Sequence, residues 1–127
     1  MVSRYRDWLR QAERNFASAI VNKREGLYEE SCYESHQAAE KALKALLNYH
    51  NKERRGHSLL YLLRELEIDA PNDVRECALF LDKQYIPTRY PNAYDEGAPL
   101  DYYTARDAEE CIKCAETVLN WVKSIVR

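Results

Sequence analysis

Five polar residues, Gln37, Glu40, Lys41, Lys44 and Asn48, recur at i, i+3, i+4, i+7 and i+11 within "QAAEKALKALLN". On an α-helix that spacing sets them in one line along a single side. The line carries an acid, two cations and two amides, the groups that bind an oxyanion or a base edge. Taken alone it reads as an ordinary solvated face. Its Glu40–Lys44 pair would then be an i, i+4 interaction contributing about 0.3 kcal/mol.

A second group follows. "NKERRGHSLL" sets Arg54, Arg55, Gly56 and His57 just ahead of an apolar helical run. Arginines beside a helix N-terminus make a reasonable anion site, because guanidinium and free backbone N–H groups all donate. For His57 two readings stand: it caps the next helix, or it packs against the helix that bears the polar line. His36 lies on that helix's apolar side and reads as a satisfied core histidine rather than a catalyst.

The third group is "TRYPNAYDEGAPLDYY", Thr88 to Tyr103. Two of the four prolines and four of the ten tyrosines fall here, which argues against a floppy linker. Proline stiffens the chain, and tyrosine rings bury large area and stack. The break from Ile86 to Tyr103 lacks helical periodicity and is long enough to be functional. Arg89, flanked by aromatic residues, suits a phosphate, a stacked base or an acid of the polar line. A buried arginine requires a carboxylate. The expectation is therefore that Arg89 turns toward Glu40 or Gln37, joined by Lys41, Lys44 and His57. Tyr90 reads as hydrophobic cover on the bundle. For Tyr94, in the polar turn-like setting "NAYDEG", cover and solvent-reaching phenol both stand open.

Cysteine adds little chemistry. Cys32, Cys77, Cys111 and Cys114 are widely spaced and do not form a disulfide framework by pattern. "CIKC" has no second pair to complete a zinc site, and it falls in mid-helix, where no dipole lowers a thiol pKa. Cys111 reads as core, with Cys114 near it. No metal site or cofactor is expected.

Whatever positions these groups must be small. The chain has 127 residues, 46% of them hydrophobic and 31% charged, with a net charge of -2. Such a balance fits one ordered domain over 1–127 and excludes a grip on duplex DNA by bulk positive charge. The N-terminus lacks a signal-peptide pattern, and no apolar run is long enough to span a membrane, so a cytoplasmic location is expected. Glycine and proline divide the rest into helical segments. Segment one, about Ser3 to Arg24, has Tyr5, Trp8, Leu9, Ala12, Phe16, Ala19 and Ile20 on one face. Segment two, about Glu29 to Asn51, has both a leucine-rich stripe and an alanine strip (Ala38, Ala42, Ala45), so it is the central helix. Segment three, Ser58 to Glu67, is short and starts at Ser58 as N-cap. Segment four has Asp73 and Glu76 at capping-box spacing and a stripe from Val74 to Tyr85. Segment five opens at Thr104, with Asp107 three residues on. No window alternates as a half-buried strand does. The fold expected is all-α: an antiparallel up-and-down four-helix bundle with one additional short helix. Spare apolar and aromatic surface on a bundle of this size points to a homodimer, with the long loop at or near the interface.

Read in order, "YEESCYESHQAAEKALKALL", "GHSLLYLL" and "YIPTRYPNAY", followed by a last helix rich in small residues, resemble the HEPN domain family, named for a nucleotide-binding domain of higher eukaryotes and prokaryotes. The resemblance spans nearly the whole chain. It implies a helical bundle that is often dimeric, and either of two activities. Many members are metal-independent ribonucleases, toxins included, with an arginine followed by four to six residues and then a histidine. Here Arg89 is followed at the corresponding place by Tyr94, and phenol is a poor general base at neutral pH. A ribonuclease would therefore have to use Arg89, His57 and Tyr94. Small stand-alone members are also paired with a minimal nucleotidyltransferase, which in some systems attaches nucleotides to a tyrosine beside the motif. That places Tyr94 as a modification site and implies a nucleotidyltransferase subunit as partner. The function expected is a nucleotide- or RNA-binding partner subunit in a two-component system of the toxin–antitoxin kind. Its binding residues are Gln37, Glu40, Lys41, Lys44, His57, Arg89 and Tyr90. A ribonuclease toxin with a degenerate motif and a purely structural oligomer are the alternatives.

Overall fold

The apolar periodicity resolves into five helices: α1 (Tyr5–Arg24), α2 (Tyr28–Tyr49), α3 (Leu59–Glu65), α4 (Asn72–Asp82) and α5 (Ala105–Ile125). This computed structural model describes residues 3–126; Met1, Val2 and Arg127, at the ends of the expected single domain, lie outside the described residues. No strand occurs among them. The architecture is the expected one: four main helices in an up-and-down bundle, with α3 as the short addition.

The centre is α2. Its 22 residues span about 33 Å, and it packs against α1, α3, α4 and α5. Both of its apolar strips are fully buried, Ala38, Ala42 and Ala45 on one side and Leu43, Leu46 and Leu47 on the other. Small residues on one strip let a neighbour approach closely, while leucines fill the wider gap on the other. Gly26 reverses the chain between α1 and α2 at φ +80°, a conformation that favours glycine. The antiparallel hairpin is then fastened by Ser31 Oγ donating to the Ala19 carbonyl at 2.7 Å.

Capping explains where the shorter elements start. Ser58 Oγ accepts from Tyr61 N–H at the start of α3, and Thr104 and Asp107 complete a capping box at the start of α5. At α4 the expected Asp73–Glu76 box does not form. Pro71 occupies the N-cap position there, and Asp73 instead accepts from the adjacent Val74 N–H at 2.8 Å. The stripe of α4 also ends at Leu81, because the helix stops at Asp82 and Tyr85 lies in the following turns. On α1, Ile20 is exposed rather than inward.

The cysteines divide into two pairs. Cys77 of α4 and Cys114 of α5 are joined as a disulfide with Cα atoms 4.9 Å apart, which corrects the reading of Cys114 as a mere neighbour of the core. Chain spacing concealed the pair because its members are 37 residues apart on separate helices. Cys32 and Cys111 are buried and free. A hydrogen bond with Cys32, and burial, push the Cys111 thiol far above its ordinary pKa, so it stays protonated and unreactive.

Closing a loop of this length restricts the unfolded chain by about 2–4 kcal/mol. Reduction of the wild-type protein is expected to lower its urea midpoint accordingly. The Cys77→Ser/Cys114→Ser variant should have the lower midpoint already and not respond to reductant. A wild-type midpoint indifferent to reductant would contradict the bridge.

Candidate functional site

The polar line on α2 is not a solvated face. Glu40 has a side chain only 4% exposed, and Asn48 is also buried. A carboxylate taken out of water must be paired or it costs several kcal/mol. Two partners meet it: Lys44 Nζ at 3.0 Å from Oε2, and His57 Nδ1 at 2.9 Å from Oε1. The second of the two readings of His57 therefore holds. Its ring packs on the central helix, while Ser58 caps α3.

From His57 the contacts continue outward. The imidazole stacks on Tyr85, with centroids 4.9 Å apart and planes 20° from parallel. Tyr85 in turn lies under the Arg89 guanidinium, whose Cζ is 4.2 Å from the ring centroid. Tyr90 and Tyr33 complete a cage around the same cation at 4.7 and 5.0 Å. Arg89 Nε donates to the Tyr85 carbonyl at 2.9 Å. Burial raises the Tyr33 phenol above its ordinary pKa despite the opposing effect of Arg89.

The expected Arg89–Glu40 pair is thus corrected. No carboxylate among the described residues lies within ion-pair distance of Arg89. Because Arg89 is only half-buried, ring faces and one carbonyl are sufficient for it. Arg89 lines a cleft of about 320 Å³ together with Glu29, Glu30, Tyr33, Thr88, Pro99 and Leu100. Two other members of the predicted set point elsewhere. Lys41 donates to Asn15 of α1 at 2.9 Å, and Gln37 hydrogen-bonds His36 at 3.3 Å.

The anion site expected at the start of α3 is already filled from within. Asp82 accepts from Leu59 N–H at 2.8 Å, Leu60 N–H at 3.1 Å and Ser58 Oγ at 3.3 Å. It also meets the fully buried His36 Nε2 at 3.2 Å. Since the Gln37 amide nitrogen can only donate to His36 Nδ1, the proton sits on Nε2 and both ring nitrogens are satisfied. His36 is a core histidine, as read. Arg54 is committed to Glu65 at 2.6 Å, whereas Arg55 makes no ion pair among the described residues.

The long loop is ordered by its own tyrosines, including two 3₁₀ turns at Pro91–Ala93 and Pro99–Asp101. Tyr94 stacks on Tyr102 with centroids 4.0 Å apart and donates to the Pro87 carbonyl at 3.0 Å. Tyr103 donates to Gln84 Oε1 at 2.6 Å, and burial together with the nearby Tyr94 raises its pKa well beyond the ordinary range. Tyr90 and Tyr102 are the more exposed rings of the loop. Sequence reasoning missed Tyr33, Tyr85 and Trp8. A signal existed for Tyr33, which extends the polar line by one step at i−4 from Gln37. Trp8 joins through Lys44, whose ammonium lies 5.5 Å from its ring centroid.

With this geometry in view, comparison with known proteins is decisive. The sequence model of the HEPN domain family matches residues 5–125. The chain belongs to the HEPN domain family. "Putative toxin MJ1304" of Methanocaldococcus jannaschii is 31% identical over 131 residues, covering 94% of this chain and 86% of that protein. The crystal structure of TT1696 from Thermus thermophilus superposes with a TM-score of 0.95 at 41% identity, covering 98% of this chain and all of the other. ST0689, an archaeal HEPN homologue, gives 0.86 at 51% identity over 99% of this chain and 100% of its own. Among the described residues, no helix of this HEPN protein is long and apolar enough to cross a membrane.

Asp82 yields a test of the framework that holds the site. Burial alone would raise its pKa, but hydrogen bonds from His36, Leu59 and Leu60 outweigh that and lower it. A folded-state pKa below the unfolded value of about 3.9 gives stability that is present above that value and lost as pH falls through the folded one. Asp82→Asn is expected to cost about 1–3 kcal/mol at neutral pH. That difference from wild type should shrink once the pH drops below about 4, as read by urea unfolding across pH. A cost independent of pH would contradict the ionised cap.

Proposed function

We propose that this HEPN protein binds RNA or a nucleotide at the Arg89 cleft, as one subunit of a two-component system of the toxin–antitoxin kind. One observation carries the reading: three tyrosine rings and a backbone carbonyl hold Arg89 in place, and no carboxylate among the described residues occupies its fork. A guanidinium fixed in this way loses little freedom when it takes a phosphate bidentately. The flanking rings offer faces on which bases stack. The toxin name carried by the Methanocaldococcus jannaschii relative supports the two-component setting. A homodimer, a minimal nucleotidyltransferase partner and a cytoplasmic location belong to the same proposal.

In that pairing Tyr94 is the proposed acceptor. Its phenolic oxygen would form a bond to the α-phosphorus of a nucleoside triphosphate brought by the transferase. Pyrophosphate leaves, and the phenolic proton passes to solvent. Tyr94 must first exchange its bond to the Pro87 carbonyl.

One arrangement favours a second reading, the ribonuclease. His57 and Arg89 pack against the same Tyr85 ring, and buried Glu40 orients the imidazole through Nδ1. On this reading the loop before α3 would supply the histidine that the loop after Arg89 lacks. In this reading His57 takes the 2′-hydroxyl proton, the 2′-oxygen attacks phosphorus, and the P–O bond to the 5′-oxygen breaks, that oxygen taking a proton from solvent. Arg89 would hold the charged oxygens.

Fluorescence anisotropy with labelled single-stranded RNA tests the first reading. Arg89→Ala is expected to weaken binding about tenfold or more, and Arg89→Lys not to restore it, since an ammonium lacks the fork. Unchanged affinity in Arg89→Ala would refute the proposal. The same RNA on a denaturing gel separates the readings, because cleavage abolished by His57→Ala would select the ribonuclease.

A further inference from the structure

A second cleft, of about 320 Å³, opens beside the end of α2 and shares no lining residue with the Arg89 cleft. Trp8, Lys44, Asn48, Arg55 and His57 are among the residues that line it. Its size is at the small end of ligand pockets.

Three features distinguish it from an incidental groove. The floor is pinned: the buried Asn48 amide donates to the carbonyls of Lys44 and Lys52, and its Oδ1 accepts from Arg4 N–H at 3.3 Å. That ties the 50–57 loop to both α2 and the start of α1. Gly56 turns the loop at φ +109°, a value that a side chain would strain, and so brings Arg55 and His57 to one rim. Finally, the charges are unequally spent. Lys44 and His57 share a single carboxylate, Glu40, while Arg54 is neutralised by Glu65 and Arg55 has no acid partner among the described residues. Glu53 is the one acid on the rim.

We infer that this cleft is a second subsite, for a nucleoside 5′-monophosphate group. Arg55 and Lys44 receive the phosphate, and the Trp8 ring is the wall on which the base packs. The group is either a free nucleotide or the 5′-end of a strand whose remainder reaches Arg89 past Tyr85. Only the second source rests on the function proposed above.

Trp8 itself can report occupancy, with Trp121 replaced by Phe to leave a single tryptophan. Three probes are titrated: AMP, inorganic phosphate, and a short single-stranded RNA with either a 5′-phosphate or a 5′-hydroxyl. The result expected is saturable quenching of Trp8 by AMP, with inorganic phosphate binding more weakly. Arg55→Ala should weaken AMP about tenfold, while Arg89→Ala leaves AMP binding as it was. RNA with a 5′-phosphate binding more tightly than both AMP and the 5′-hydroxyl strand identifies a strand end. No such preference identifies the free nucleotide, and both outcomes support the subsite. Quenching by neither AMP nor 5′-phosphorylated RNA, indifference to Arg55→Ala, or loss of AMP binding in Arg89→Ala would overturn it. Failure here leaves the anisotropy result at Arg89 standing, so the two sites are tested separately.

Discussion

A carboxylate buried in the middle of a leucine- and alanine-rich helix constrains everything around it. Glu40 lies among residues that exclude water, and its charge must be met. Meeting it fixes Lys44 one turn along α2 and draws His57 in from the loop before α3. Lys44 then lies over Trp8 of α1, and His57 over Tyr85 after α4. Tyr85 carries Arg89. A single buried charge thereby sets the positions of side chains from four parts of the chain.

Asp82 plays the corresponding part for the backbone. It joins α2 through His36 and α3 through two N–H groups, all from the last residue of α4. Both inward carboxylates are therefore used up within the protein. Outward, Arg55 and Arg89 have no acid partner among the described residues, while Glu29 and Glu30 line the Arg89 cleft and Glu53 the other.

Much of the fold was legible because helical periodicity and Gly/Pro punctuation agree along the chain. Ser58 and the Thr104–Asp107 box mark their helix starts in sequence as they do in structure. Periodicity shows which residues share a side, but not how each helix is rotated against its neighbours. That is why the Glu40 line read as solvated although it faces protein, and why Ile20 read as buried although it is exposed. Arg89 was placed beside an acid on the rule for buried charge. Its half-burial changes which rule applies, and three rings replace the carboxylate. The family spacing from Arg89 leads to Tyr94, yet the imidazole that meets the same aromatic stack comes from 32 positions earlier, at His57. Contacts of that separation, like the Cys77–Cys114 bridge, leave no local trace in a single sequence.

In the proposed function, His57, Tyr85 and Arg89 face the ligand, positioned by the buried Glu40. Amide and side-chain NMR shift mapping during titration with short single-stranded RNA addresses this most directly. The result predicted is a contiguous set of perturbed signals at Arg89, Tyr85, His57 and Lys44, with the Leu79 face of α4 unaffected. Perturbations confined to other faces of the bundle, or none at saturating RNA, would contradict it.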